Sequence, residues 1–158
     1  KCGKGSNTHS LALQLAHKNN IDVLLIREPW TLRNLSSKRS ITHPNFLIFS
    51  PLSEWSTRPR ALTDIRKSQG LHPYQTVVDI SADFVRISMS CERDKRFDIR
   101  NVYNASVNSA GARGCLNVLL EAPRSPDFVA GDFNLRHLSW DSHTTSNSQE
   151  ATALIDWA

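Results

Sequence analysis

The chain has 158 residues, 39% of them hydrophobic and 22% charged, and a formal net charge of +4 at pH 7. These values argue against a disordered tail, and no apolar run approaches the ~20 residues that a membrane-spanning helix needs. The mild basic excess is compatible with a phosphate-rich partner without requiring one. Three widely separated cysteines have neither disulfide-framework nor zinc-ligand spacing, which predicts a reduced, intracellular compartment.

A helix opens the sequence. Residues 6–20, "SNTHSLALQLAHKNN", have helical periodicity, with Leu11, Ala12 and Leu15 predicted on one face and a capping side chain within residues 6–8. Short apolar or alternating segments follow, separated by polar breaks, as expected of neighbouring strands. The predicted strands are "IDVLLI", "NFLIFS", "RALTDIRK", "TVVDI", "FVRISMS", "FDIRNVY" and "PDFVAGDFN".

Two more helices are predicted in the second half of the chain. "GARGCLNVLLEAP" is expected to be helical up to Pro123. "SNSQEATALIDWA" is expected to form a helix that begins with a capping box between Ser146 and Gln149. Helices before, between and after the strands predict a layered α/β domain with a mixed sheet or two packed sheets.

Polar side chains follow three of the predicted strands. Glu28 follows "LLIR", Tyr103 and Asn104 follow "IRNV", and Asp132 and Asn134 flank the phenylalanine of "GDFN". Phosphodiester hydrolysis needs a hard cation, a base that orients water and neutral donors for phosphate oxygens. Carboxylates can bind the cation or act as the base, and Asn and Tyr side chains can be the neutral donors. Each residue alone is explained as well by a solvated turn or by packing. Their co-occurrence in order, each after a strand, favours a hydrolytic site.

The same motifs bear a family resemblance. "LLIREPW", "NVYN" and "VAGDFNLRHLSW" resemble the exonuclease–endonuclease–phosphatase superfamily. "RPRAL", with His137 and Trp140 after "GDFN", is most similar to the endonuclease domain of LINE-type (non-long-terminal-repeat) retrotransposons. The resemblance implies a four-layer α/β sandwich, two packed mixed β-sheets flanked by helices, and Mg²⁺ as the cofactor, with Mn²⁺ as the alternative.

The resemblance also implies roles for individual residues. Glu28 matches a metal-binding glutamate, Tyr103 a tyrosine near the scissile phosphate, and Asp132 the aspartate that orients or deprotonates water. Asn134 matches the amide that holds this aspartate or the phosphate. Strand alternation is expected to place Asp132 and Asn134 on one side, with Phe133 in the core.

Three further residues are candidates for binding phosphate or DNA: Asn104, Arg60 and His137. Asn104 matches a neighbouring asparagine of the family. Guanidinium groups commonly contact a DNA backbone, although Arg58 and Arg60 around their shared proline are equally compatible with solvated side chains. His137 is expected to shape the loop around the site or to contact DNA.

The sequence departs from the family pattern at several positions. Lys1 falls about where the family has a metal-binding asparagine, Arg27 stands where a glutamine usually precedes the glutamate, and Asp64 lies inside a predicted strand. The closing Ser-Asp-His segment does not occur in these residues. We therefore expect residues 1–158 to be a single domain, an excerpt that lacks its first and its C-terminal strands. Because loss of one transition-state contact can cost ~10²–10³ in rate, the excerpt is expected to be weakly active or inactive.

The favoured function is a DNA-nicking endonuclease domain of a retrotransposon polyprotein. It would have a reverse transcriptase in the same parent chain, act in the nucleus, and need neither a membrane nor a small-molecule cofactor. One alternative is a phosphomonoesterase or an RNA-directed member of the superfamily. Another is an inactive remnant or a non-catalytic DNA-binding module.

Overall fold

The computed structural model of the protein describes residues 5–32, 37–68, 70–90, 96–106, 109, 114–122 and 128–158. Lys1, Cys2, Cys91 and Pro123 lie outside these ranges. In the described part of the chain, one helix precedes six successive strands, and a seventh strand lies between the last two helices. In order, they are α1 (Ser6–Lys18), β1 (Val23–Arg27), β2 (Phe46–Phe49), β3 (Ala61–Arg66), β4 (His72–Tyr74), β5 (Phe84–Ser90), β6 (Arg96–Tyr103), α2 (Gly114–Glu121), β7 (Phe128–Asp132) and α3 (Gln149–Trp157).

The strands form two sheets. The first has the order β1-β3-β2, and both of its pairings are antiparallel. The second has the order β4-β5-β6-β7 and is mixed, since β7 runs parallel to β6 while the other pairs are antiparallel. The prediction that both sheets are mixed therefore holds for the second sheet, and the described strands of the first are antiparallel.

Apolar clusters define four layers. Between the sheets, the first contributes residues such as Ala61 and Ile65, and the second contributes Val85, Ile87 and Met89. One outer cluster packs α1 on the first sheet, and another packs α2 and α3 on the second. The predicted architecture, two packed sheets flanked by helices, is confirmed.

Helix α1 buries a different face from the one predicted. Leu11 and Leu15 are about half exposed, whereas His9, Leu13 and Ala16 are buried. Both faces have helical spacing, and the first sheet packs against the face that carries Leu13 and Ala16. The cap prediction was also wrong, because Gly5 is the N-cap residue and no side chain caps this helix.

The predicted strand "TVVDI" does not form, and His72–Tyr74 pairs with β5 instead. Asp79 explains the break, since it has a φ of 66° and its carboxylate accepts hydrogen bonds from the backbone and hydroxyl of Ser53. A left-handed residue anchored to another loop cannot continue a strand. At α3 the cap is Ser148, whose hydroxyl accepts from the Ala151 N–H, rather than Ser146.

One end of the sandwich collects the ends of strands from both sheets. Arg27, the last residue of β1, pairs with Ala61 at the start of β3. Tyr103, the last residue of β6, pairs with Asp132, the last residue of β7. The predicted site residues at these strand ends are therefore brought to a common edge. In the described part of the chain, no helix is long and apolar enough to cross a membrane.

Candidate active site

Glu28 is positioned by a turn immediately after β1. Its φ is 52°, a left-handed conformation that costs a non-glycine residue roughly 1 kcal/mol, and its N–H donates to the Arg60 carbonyl at 2.8 Å. The turn stops the strand and directs the glutamate to the edge of the sandwich. There the Tyr103 hydroxyl donates to Glu28 Oε1 at 3.3 Å, which joins the two sheets.

A reciprocal pair of asparagines fixes the turn after Asp132. The Asn104 N–H donates to the Asp132 carbonyl at 2.8 Å, and Asn104 Nδ2 donates to the Phe133 carbonyl at 2.7 Å. In return, Asn134 Nδ2 donates to the Asn104 carbonyl at 2.6 Å. These three hydrogen bonds fix the chain where it leaves β7, and they use one side-chain N–H of each amide.

This turn departs from the strand alternation that was expected. Strand β7 ends at Asp132, and Asn134 has a φ of 48°. Phe133 packs against the cluster of α2 and α3, as expected, but the bond to Asn104, not a continuing strand, orients the Asn134 side chain. Asn104 itself is only 3% exposed, so in this structure it contacts the turn rather than solvent.

Arg60 is clamped by Asp83, a residue that was not anticipated. Its Nε and Nη2 both donate to the Asp83 carboxylate, each at 2.5 Å, and its guanidinium carbon lies 5.5 Å from the centre of the Tyr103 ring. The Asp83 carbonyl also accepts from the Tyr103 N–H at 2.8 Å. Arg60 and Asp83 thus hold both the ring and the backbone of Tyr103.

Burial changes the pKa values of Asp83 and of the neighbouring Cys115. Desolvation raises the pKa of Asp83, and the hydrogen bonds and charge of Arg60 act in the opposite direction. The Cys115 thiol lies next to it and donates to the Asp83 carbonyl at 3.2 Å. Desolvation, aided by the Asp83 charge, raises the pKa of Cys115 to about 12, so this cysteine is a protonated packing residue and not a nucleophile at neutral pH.

The remaining candidate residues are His137, Arg27 and Lys1. His137 belongs to the turn after "GDFN", where Nδ1 accepts from the Ser139 N–H and the ring lies 5.0 Å from that of Trp140. Arg27 ends β1 beside Glu28 and is partly buried. Lys1 lies outside the described residues.

Asp83 and Asn101 are structural residues that the strand-end motifs do not include. Asp83 precedes β5 and therefore lies at the amino end of a strand, whereas the motifs lie at carboxyl ends. An antiparallel neighbour places such a residue at the same edge, and that is the pattern by which it could have been found. Asn101 Nδ2 crosses between the sheets and donates to the Leu62 carbonyl at 2.8 Å.

A metal ion at this edge would have few protein ligands among the described residues. Among the described residues, no group of three or more His, Cys, Asp or Glu side chains is arranged to hold a metal. Mg²⁺ is commonly bound by one or two carboxylates, with water and substrate phosphate completing its shell. Glu28, at the open edge, can supply such a carboxylate.

Comparison with known proteins supports the fold. No protein-family model matches the sequence, and no curated protein matches it. Among solved structures, the endonuclease domain of TRAS1, a telomere-specific non-LTR retrotransposon, superimposes with a TM-score of 0.69 at 12% identity. An endonuclease/exonuclease/phosphatase family protein from Bacteroides thetaiotaomicron superimposes with a TM-score of 0.55, also at 12% identity.

These likenesses establish the architecture of the chain. They cover 99% and 98% of its residues, and 65% and 60% of the two solved structures, respectively. The chain therefore has the endonuclease/exonuclease/phosphatase fold, as the motifs predicted. It spans about two thirds or less of the length of either structure.

Proposed function

We propose that this chain is a metal-dependent phosphodiesterase that nicks DNA, with Glu28 as the carboxylate ligand of Mg²⁺ or Mn²⁺. The observation that supports this most is the convergence of Glu28, Tyr103 and Asp132 at one edge of a sandwich with a nuclease-type fold. The likeness to a retrotransposon endonuclease domain favours DNA over other phosphodiesters. On this proposal the chain acts in the nucleus, beside a reverse transcriptase of the same parent chain, without a membrane or a small-molecule cofactor.

The reaction assigns a task to each side chain. Asp132 orients a water molecule and accepts its proton as the water oxygen bonds to phosphorus. The bond from phosphorus to the 3′ oxygen breaks, and that oxygen takes up a proton, which leaves a 3′-hydroxyl and a 5′-phosphate. The Tyr103 O–H turns from Glu28 to a phosphate oxygen when substrate binds, and the second N–H of Asn134 donates to another phosphate oxygen. The metal, when bound, neutralises charge that develops on the phosphate.

The test is nicking of supercoiled plasmid with Mg²⁺, since one cut per molecule is detectable at low activity. We expect slow conversion to the open circle, loss with a chelator, and a fall of ~10² or more for Asp132→Ala. Extension of the nicks by a DNA polymerase reports the 3′-hydroxyl. Equal rates for the parent and Asp132→Ala would contradict the proposal, and release of inorganic phosphate without nicking would favour a phosphomonoesterase.

A further inference from the structure

Two pockets flank the candidate site. The first has a volume of about 520 Å³ and lies where β1 ends and β3 and β5 begin. Glu28, Arg58 and Ser81 line it on the polar side, and Ile80 and Val118 are among its apolar residues. Polar and apolar residues contribute comparably to this lining, and its size is within the range of ligand-binding clefts.

The second pocket lies on the other side of the site, beyond β7. It has a volume of about 350 Å³, and its lining includes Asn104, Asn134, Arg136, His143 and the start of α3. Glu28 lines the first pocket and Asn104 lines the second, and Tyr103 links them through its bond to Glu28 and its peptide bond to Asn104. Asp132 lines a third pocket, of about 560 Å³, together with Asn134, which also lines the second. A ligand that occupied the first and second pockets would cross the site.

Each of the first two pockets is lined by one exposed arginine. Arg58 and Arg136 are exposed, and within the described ranges neither guanidinium makes a hydrogen bond or an ion pair. Arg60 differs, because Asp83 engages it on two nitrogens. The carboxylates of the two linings are Glu28 and Asp83 in the first pocket and Glu150 in the second.

We propose that Arg58 and Arg136 bind the phosphates on either side of the scissile phosphodiester. The inference rests on the proposed function and narrows its substrate to an internal position of a polynucleotide strand. A terminal phosphomonoester has no flanking phosphate on one side and would use one of the two arginines. Guanidinium groups suit this task because they are permanently charged and donate two parallel hydrogen bonds to phosphate oxygens.

The test measures binding without catalysis. A fluorescein-labelled DNA duplex is titrated with protein in the presence of a chelator, and the affinity is followed by anisotropy at several salt concentrations. Each phosphate contact contributes about −0.9 to the slope of log affinity against log salt concentration. We expect Arg58→Ala and Arg136→Ala each to reduce the magnitude of this slope by about one and to weaken binding several-fold. The double variant should reduce the magnitude by about two.

Lys18→Ala is the matched control, because it removes an exposed cation at the opposite end of the sandwich, before β1 begins. It should leave the slope unchanged. A slope that falls for only one arginine, for neither, or equally for Lys18→Ala would overturn the proposal. Thermal melting that matches the parent protein shows that the variants are folded.

Because binding is measured without metal, this outcome is independent of hydrolysis. Plasmid nicking with unchanged salt slopes would support the proposed function and contradict the two phosphate contacts. Changed slopes without nicking would support the contacts and contradict the proposed enzymatic activity.

Discussion

Asp64 is a charged residue in the middle of the first sheet. It pairs with Leu24 on one side and Ile48 on the other, is 1% exposed, and its Oδ2 finds no hydrogen-bond partner among the described residues. Desolvation raises the pKa of this carboxyl to about 7. The residue is therefore an internal source of pH-dependent instability.

We predict that Asp64→Asn stabilises the protein above neutral pH. The folded-state pKa of about 7 lies above the ordinary 3.8, so the carboxyl destabilises the fold increasingly as pH rises between these values. The full difference corresponds to roughly 4 kcal/mol, and an amide does not titrate. Urea unfolding at pH 5 and pH 8 should therefore show a larger gain in unfolding free energy at pH 8.

Glu121→Gln, at the exposed end of α2, is the control and should give the same change in unfolding free energy at both pH values. If the gain for Asp64→Asn were equally independent of pH, Asp64 would not titrate in this range in the folded protein.

Asn134 combines a strained backbone with a tethering side chain, and two substitutions separate these roles. Asn134→Ala and Asn134→Gly both remove the bond to the Asn104 carbonyl, but glycine accepts a φ of 48° without strain. We predict that the alanine variant is less stable than the glycine variant by about 1 kcal/mol in urea unfolding. Equal stabilities would mean that the turn relaxes once the amide is removed.

The strand-end motifs predicted which polar residues meet, but not how they are held. Glu28, Tyr103 and Asp132 follow strands in the sequence, and the structure brings all three strand ends to one edge. The position of Asp83 before a strand could have placed it at this edge, but its role depends on pairing with an arginine 23 residues away. Contacts of that kind depend on tertiary packing, which local patterns do not encode.

Among the elements, β7 depends on one glycine. Gly131 pairs with Val102 of β6, and a Cβ built on it would lie 2.2 Å from the Val102 carbonyl oxygen and 2.8 Å from Val102 Cβ. Both contacts are closer than atoms tolerate, and one is to the backbone, so the strands would have to separate. The next residue is Asp132, which such a shift would displace.

We predict that Gly131→Ala lowers the unfolding free energy by ~1–3 kcal/mol, as overpacking does, and abolishes nicking. Gly70→Ala is the matched control, because a Cβ there meets nothing within 4 Å. Thermal melting and the plasmid assay check both variants. A Gly131→Ala protein with the stability and activity of its parent would show that β6 and β7 adjust freely.

The element predictions failed where two local solutions were equivalent. The two faces of α1 have similar apolar spacing, and only the sheet beneath decides which is buried. "TVVDI" has strand-forming residues, yet Asp79 is anchored to Ser53 in another loop. The segments of β1, β5 and β6 formed strands as predicted, with shifts of a few residues at their ends.

The candidate site is formed by residues of both sheets, so it depends on the position of one sheet relative to the other. Glu28 and Arg60 belong to the first sheet and its turns, whereas Asp83 and Tyr103 belong to the second. The ion pair of Arg60 with Asp83 therefore spans the gap at the edge where catalysis is proposed. Asp83 is 2% exposed, and among the described residues its carboxylate forms an ion pair with Arg60.

We predict that Arg60→Ala destabilises the protein by about 3–5 kcal/mol, because it leaves a buried carboxylate uncompensated. The double variant Arg60→Ala with Asp83→Asn should recover part of that loss, since the charge is removed with its partner. Without Arg60 the pKa of Asp83 rises further, so the single variant should lose stability as pH increases, whereas the double variant should not. A double-mutant cycle by urea unfolding at pH 5 and pH 8 measures both effects. Strictly additive losses at both pH values would show that the pair does not couple the sheets.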